Sequence, residues 1–228
     1  MLDPAQARDR MVDRQIAARG VRDPRVLEAM RQVPREAFVE PGYEDLAYED
    51  GPLPIGEGQT ISQPYIVAHM IEAAGVKPGD SVLEVGVGSG YAAAVLSRIA
   101  DRVHAVERIA ALVASARRRL DALGYDNIAL RAADGTLGWP EAAPFDAIVV
   151  SAGGPAVPDA LRAQIAHGGR LIIPVGARRG GQHLLRVTRV GAERYGEEDL
   201  GLVVFVPLVG AQGWAEEPRD PGKRTRTR

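Results

Sequence analysis

From about Gly79 onward, short apolar runs alternate with amphipathic stretches, the pattern of β-α units around a mostly parallel sheet. The apolar runs predict strands over Ser81–Gly86, Val103–Glu107, Ile128–Asp134, Phe145–Ala152 and Gly169–Gly176. Between them the spacing predicts helices over about Tyr91–Ala100, Ala110–Leu123 and Pro158–Ala166, each of a length suited to a crossover. No helix-length apolar pattern separates His183–Val190 from Leu202–Leu208, which predicts an antiparallel closing hairpin. Before Gly79 the chain reads as helical and loop-like. Val12 and Ile16 share a helical face ending at Gly20, and Asp23-Pro24 offers an N-cap followed by proline at the first helical position. Gly51–Pro64 is rich in glycine and proline without periodicity, which predicts an ordered surface loop.

The length of 228 residues suits one large α/β core. We divide it into a helical extension and loop over 1–80, packed on an α/β core over 81–214, and a Pro- and charge-rich tail over 215–228 that is expected to be disordered. Lysine and arginine number 28 against 30 acids, a balance that argues against a dedicated nucleic-acid or membrane-surface protein. Arg117-Arg118-Arg119 therefore reads as the solvated face of an amphipathic helix. The absence of cysteine excludes disulfides, thiolate nucleophiles and Cys-ligated metals. His69, His104, His167 and His183 lack the spacing that puts metal ligands on one face, so no metal is expected. Without a leader-like or membrane-spanning apolar run, the chain is expected to be a soluble, cytoplasmic protein.

The most informative run is Val82-Leu-Glu-Val-Gly-Val-Gly-Ser-Gly-Tyr91, a buried-strand pattern breaking into glycines just before a helix. Such glycines let the backbone turn sharply and approach a ligand at the carboxyl end of a sheet. Gly86, Gly88 and Gly90 give Gly-x-Gly-x-Gly, with Tyr91 where a dinucleotide fingerprint would have its third glycine. Glu84, two residues ahead of the first glycine, would repel a pyrophosphate but suits a ligand carrying an amino group and a sulfonium cation. S-adenosylmethionine fits better than a nicotinamide dinucleotide. Glu107 closes the next strand, where a carboxylate can accept from ribose hydroxyls, and Asp134 closes the one after, positioned to accept from an adenine amino group. No Lys-Ser/Thr follows the glycines, so Walker-type phosphate binding is unsupported.

The chain resembles the protein-L-isoaspartate (D-aspartate) O-methyltransferases. The resemblance runs from about Met11 to Trp214 and is carried by Asp50-Gly-Pro-Leu-Pro-Ile-Gly-Glu-Gly-Gln-Thr-Ile-Ser-Gln-Pro-Tyr65, Val82–Tyr91, Ala133-Asp-Gly135, Ala143-Pro-Phe-Asp-Ala-Ile148, Gly168-Gly-Arg-Leu-Ile-Ile-Pro-Val-Gly176 and Phe205-Val-Pro-Leu208. It implies a Rossmann-like, S-adenosylmethionine-dependent methyltransferase fold with a mostly parallel seven-stranded sheet, an antiparallel closing strand and an N-terminal helical extension. It also implies methyl transfer from S-adenosylmethionine to the α-carboxylate of isoaspartyl and D-aspartyl residues in damaged proteins, with S-adenosylhomocysteine as product. A monomer is expected. The implied cofactor set is Glu84, Gly86, Gly88, Ser89, Gly90, Glu107, Arg108, Asp134 and Gly135. The implied substrate set is Gln59, Thr60, Ile61, Ser62, Gln63 and Val209, with Ser62 orienting the attacking carboxylate. Serine before a proline-initiated helix is also a favoured cap, an alternative use for Ser62. Val87, Ala133 and Ser151-Ala-Gly-Gly-Pro155 depart from the common family pattern. A nucleic-acid amino-methyltransferase would need a Pro-Pro-aromatic turn after the fourth strand to grip a flipped base, and that turn is missing. A peptide-tailoring aspartate methyltransferase would share the substrate loop, and a module that binds the cofactor without turnover is the third alternative.

Overall fold

The computed structural model describes residues 3–178 and 180–217. Its centre is a seven-stranded sheet built from β3 (Ser81–Val85), β4 (Arg102–Glu107), β5 (Ile128–Ala132), β6 (Phe145–Val150), β7 (Ile165–Gly176), β8 (Gln182–Arg189) and β9 (Tyr195–Val203). The strand order is β5-β4-β3-β6-β7-β8-β9, parallel from β5 through β7 and antiparallel across β7/β8 and β8/β9. The two strands β1 (Leu53–Pro54) and β2 (Thr60–Ile61) form a separate antiparallel ladder.

Alternate residues of the central strands enter different cores, as the two-residue period requires. Val82, Ala147 and Val149 join the cluster that contains α1 (Pro4–Met11), α2 (Pro24–Gln32), α3 (Pro64–Ala74), α4 (Tyr91–Ser97) and α5 (Ala110–Ala122). Leu83, Ile148 and Val150 join the second, with Leu161 of α6 (Asp159–Ala163). Cover on both faces explains why these strands read as unbroken apolar runs.

Several expected boundaries move. β5 and β6 end before Asp134 and Ala152, and α6 is only five residues long because β7 already begins at Ile165. The last strand is Tyr195–Val203, not Leu202–Leu208. As the sheet edge it carries Glu197, Glu198 and Asp199 on its exposed surface, a composition that blunts edge pairing and hides the strand from an apolar scan. Of the expected run, Leu202 and Val203 end that strand, and Val206, Pro207 and Leu208 instead border the cavity described below.

The first helical face continues from α1 through a π turn, Val12–Ile16, and a 3-10 turn, Ala17–Arg19, to Gly20 at φ 107°. Asp23 caps α2 by accepting from the Arg25 N–H at 2.9 Å. The Gly51–Pro64 loop is no mere surface feature, since Ile55 and Ile61 are buried in the first core. Among the described residues no helix is long and apolar enough to cross a membrane. The disorder expected of the tail falls, beyond Glu217, outside the described residues.

Candidate active site

β3 sits where the strand order reverses, with β4 on one side and β6 on the other. A crevice opens at the carboxyl ends of parallel strands at such a switch point. Gly86 leaves β3 at φ 88°, an angle that favours glycine, while a Cβ built there would make only ordinary contact with Ser151 at 3.6 Å. Gly90, at φ 93°, is the N-cap of α4, and a Cβ on it would meet Ala116 and Leu120 at 3.4 Å. Backbone angle is what calls for glycine at both positions; the first borders the cavity and the third faces α5.

One cavity gathers Gln59, Thr60, Ile61 and Ser62 from β2 and its two flanks, Glu84, Gly86, Gly88 and Ser89 from β3 and the glycine turn, Glu107 and Arg108 from the end of β4, Gly135, and Val209. Three of the predicted residues stand apart. Gln63 lines an adjoining groove that shares Thr60 and Ser62 with the cavity. Gly90 faces α5. Asp134 borders a neighbouring hollow with Arg108, Val209 and Trp214.

The three acids have different surroundings. Glu84 is wholly buried, and neither carboxylate oxygen has a hydrogen-bond partner among the described residues. Desolvation, with the nearby Glu107 charge, pushes its pKa well above the ordinary value. Glu107 accepts from the Gly88 N–H at 3.2 Å and the Ile109 N–H at 2.9 Å, which ties the glycine turn to the start of α5. Asp134 accepts from the Thr136 N–H at 2.9 Å, its hydroxyl at 2.7 Å and the Ala211 N–H at 2.7 Å. Burial alone would raise its pKa, but those donors hold it below the usual carboxylate value. Asp134 therefore clamps the C-terminal segment as well as capping the 3-10 turn that follows β5.

Ser62 does not cap α3. The N-cap is Gln63, with no side-chain capping bond, and Ser62 faces both the cavity and the adjoining groove. Ser89, by contrast, is drawn into the turn, where its hydroxyl accepts from the Tyr91 N–H at 3.3 Å. No histidine borders the cavity. His104 packs edge-on against Trp139 and Phe145, and burial lowers its pKa, as it does for His69 stacked on Tyr65. Among the described residues no group of three or more His, Asp or Glu could hold a metal ion.

Sequence reading did not single out Tyr91, Ser151 or Leu208 as cavity walls, nor Arg35 as a support for Ser62. Tyr91 looked only like an interruption of a fingerprint. Arg35, in Val33-Pro-Arg-Glu-Ala-Phe38, has no periodic signal to separate it from a surface arginine.

A doubly wound sheet with a glycine turn and two acids converging on one crevice defines a class, the α/β proteins that bind a nucleoside-bearing ligand at a switch point. The sequence profile of one family within it, described as protein-L-isoaspartate(D-aspartate) O-methyltransferase, matches residues 6–213. The chain belongs to that family. It is 61% identical over 207 residues to protein-L-isoaspartate O-methyltransferase 2 of Pelobacter propionicus, covering 91% of this chain and 92% of the relative. It is 58% identical over 216 residues to the protein-L-isoaspartate O-methyltransferase of Rhodopseudomonas palustris, covering 95% and 99%. A solved protein-L-isoaspartate O-methyltransferase superposes with a TM-score of 0.82 at 31% identity, over 90% of this chain and 67% of that one. A Plasmodium falciparum protein described by the same activity, in complex with S-adenosyl-L-homocysteine, superposes with a TM-score of 0.77 at 26% identity, over 89% and 98%.

Proposed function

We propose that this chain transfers the methyl group of S-adenosylmethionine to the α-carboxylate of isoaspartyl and D-aspartyl residues in damaged proteins and peptides, starting their return through succinimide to aspartate. The observation that carries the reading is the unpartnered, buried Glu84 carboxylate in the same cavity as Ser62. An orphaned buried acid fits a ligand bearing an ammonium group, and the donor set is wrong for a pyrophosphate.

S-adenosylmethionine supplies an electrophilic methyl on a sulfonium cation and leaves as S-adenosylhomocysteine. Glu84 takes the amino group, Glu107 offers remaining lone pairs to ribose hydroxyls, and Gly86 and Gly88 let the backbone come close. The acceptor carboxylate is ionised near neutral pH, so the chain has no proton to remove. What remains for the protein is to hold a carboxylate oxygen in line with the methyl. The Ser62 hydroxyl donates to that carboxylate, and Thr60 and Val209 border its approach.

The need for an intracellular metabolite supports a cytoplasmic location. Matched peptides differing only in Asp or isoAsp test the reaction: methyl incorporation is expected into the isoaspartyl peptide alone. Equal labelling of both, or of neither, would overturn the proposal.

A further inference from the structure

Arg35 is the largest wholly buried side chain and opens a 3-10 turn, Arg35–Phe38. Its Nε donates to the Ala47 carbonyl at 2.7 Å and its Nη2 to the Ser62 carbonyl at 2.8 Å. The guanidinium carbon lies 4.8 Å from the centroid of the Tyr91 ring, the first residue of α4. Nη1 is buried with no hydrogen-bond partner, and among the described residues no carboxylate pairs with this arginine. Burial accordingly lowers its pKa. An arginine in folded protein nonetheless keeps its proton.

A buried cation without a counter-ion is an expensive way to tie two carbonyls together. A neutral amide could hold either carbonyl without that cost. The position of the charge gives it a use. Ser62 presents its side chain to the cavity while its carbonyl rests on Arg35, so the serine cannot turn away without breaking a charge-assisted bond. Of the ionisable side chains bordering the cavity, Glu84 and Glu107 are acids and offer an incoming carboxylate no positive charge, and Arg108 is engaged by Glu216 at 2.5 Å. Arg35 is the uncompensated cation one carbonyl beneath the acceptor's seat, in a setting where water screens it little.

We propose that Arg35 is a positioning residue for the methyl acceptor: it fixes Ser62 through the Ser62 carbonyl and supplies the positive charge that draws the acceptor carboxylate to the loop. This rests on the reaction proposed above. Because the attraction acts on the bound carboxylate and fades as methyl transfer neutralises it, the effect falls mainly on KM for the peptide.

The test compares wild type, Arg35→Met and Arg35→Lys for peptide KM, kcat, S-adenosylmethionine Kd by calorimetry, and Tm. In Arg35→Met the isoaspartyl-peptide KM is expected to rise roughly ten- to hundredfold, the scale for a lost hydrogen bond to a charged group. Its kcat should change less, and its cofactor Kd should stay within about twofold. Arg35→Lys keeps the charge but cannot hold both carbonyls, so its KM should fall between the two. If Arg35→Met does not fold, the intermediate KM of Arg35→Lys carries the test. Unchanged KM in a folded variant, cofactor affinity falling in step with activity, or failure of both variants to fold would make Arg35 a structural strut and overturn the assignment. Absence of wild-type turnover on the same peptide would instead refute the reaction, and this assignment with it.

Discussion

Ser62 follows β2 and precedes the proline that opens α3, and the cap it could have formed is not made. Its replacement therefore separates chemistry from folding. Ser62→Ala should lower kcat on an isoaspartyl peptide about ten- to thirtyfold, equivalent to ~1–2 kcal/mol for one orienting hydrogen bond. Stability should stay within about 0.5 kcal/mol, as for a substitution that removes no native bond. A variant with lowered Tm and full turnover would return the serine to a structural role. Glu84 was legible in the sequence from its place before the glycines, but its isolation was not. Strand periodicity tells which side a residue faces, not which donors reach it. Asp134 is the converse case, because its bond to Ala211 joins positions 77 residues apart that no local pattern connects. Arg35 escaped for the same reason, its partners Ala47 and Ser62 lying 12 and 27 residues away.

At the level of elements, β3, β4, β6 and β7 were readable because burial on both faces leaves a dense apolar signature, and the glycine turn because only glycine accepts its backbone angles. The edge strand β9 was misread because solvent exposure strips that signature away. The segment after it is held by Gln182, a buried side chain that accepts from the Phe205 N–H at 2.8 Å and donates to the Phe205 carbonyl at 3.3 Å. Trp214 continues the anchorage through a 3.0 Å bond from its indole N–H to the Gly153 carbonyl. Gln182→Leu should leave both Phe205 backbone groups unpaired, costing about 1–3 kcal/mol in denaturant unfolding. It should also raise KM for both substrates, because Val206 through Val209 wall the cavity. Normal KM values in the variant would show that this wall needs no such anchor.

For the molecule as a whole, the buried Glu84 links stability, pH and cofactor binding. Its pKa is raised in the folded state, so the native protein holds a proton that the unfolded chain gives up more readily. That contribution is complete below the ordinary carboxylate pKa and is lost as pH rises through the folded value. Glu84→Gln should consequently match wild-type stability near pH 4 and exceed it at pH 7, by about 1–3 kcal/mol for a relieved buried group, while binding S-adenosylmethionine more weakly. A variant less stable than wild type at pH 7 would contradict the assignment. In the wild type, cofactor at a hundredfold excess over Kd should stabilise by ~2.7 kcal/mol and raise Tm by about 5–10 °C.

The central claim is that the methyl lands on an isoaspartyl α-carboxylate, and locating it is the most direct test. Wild-type protein, methyl-labelled S-adenosylmethionine and an isoaspartyl peptide would be quenched in acid and the product mapped by tandem mass spectrometry. The account predicts one base-labile methyl ester on the isoaspartyl residue, and an unlabelled peptide when aspartate stands in its place. Label on a nitrogen, on an ordinary aspartate side chain or at the peptide's C-terminus would contradict it.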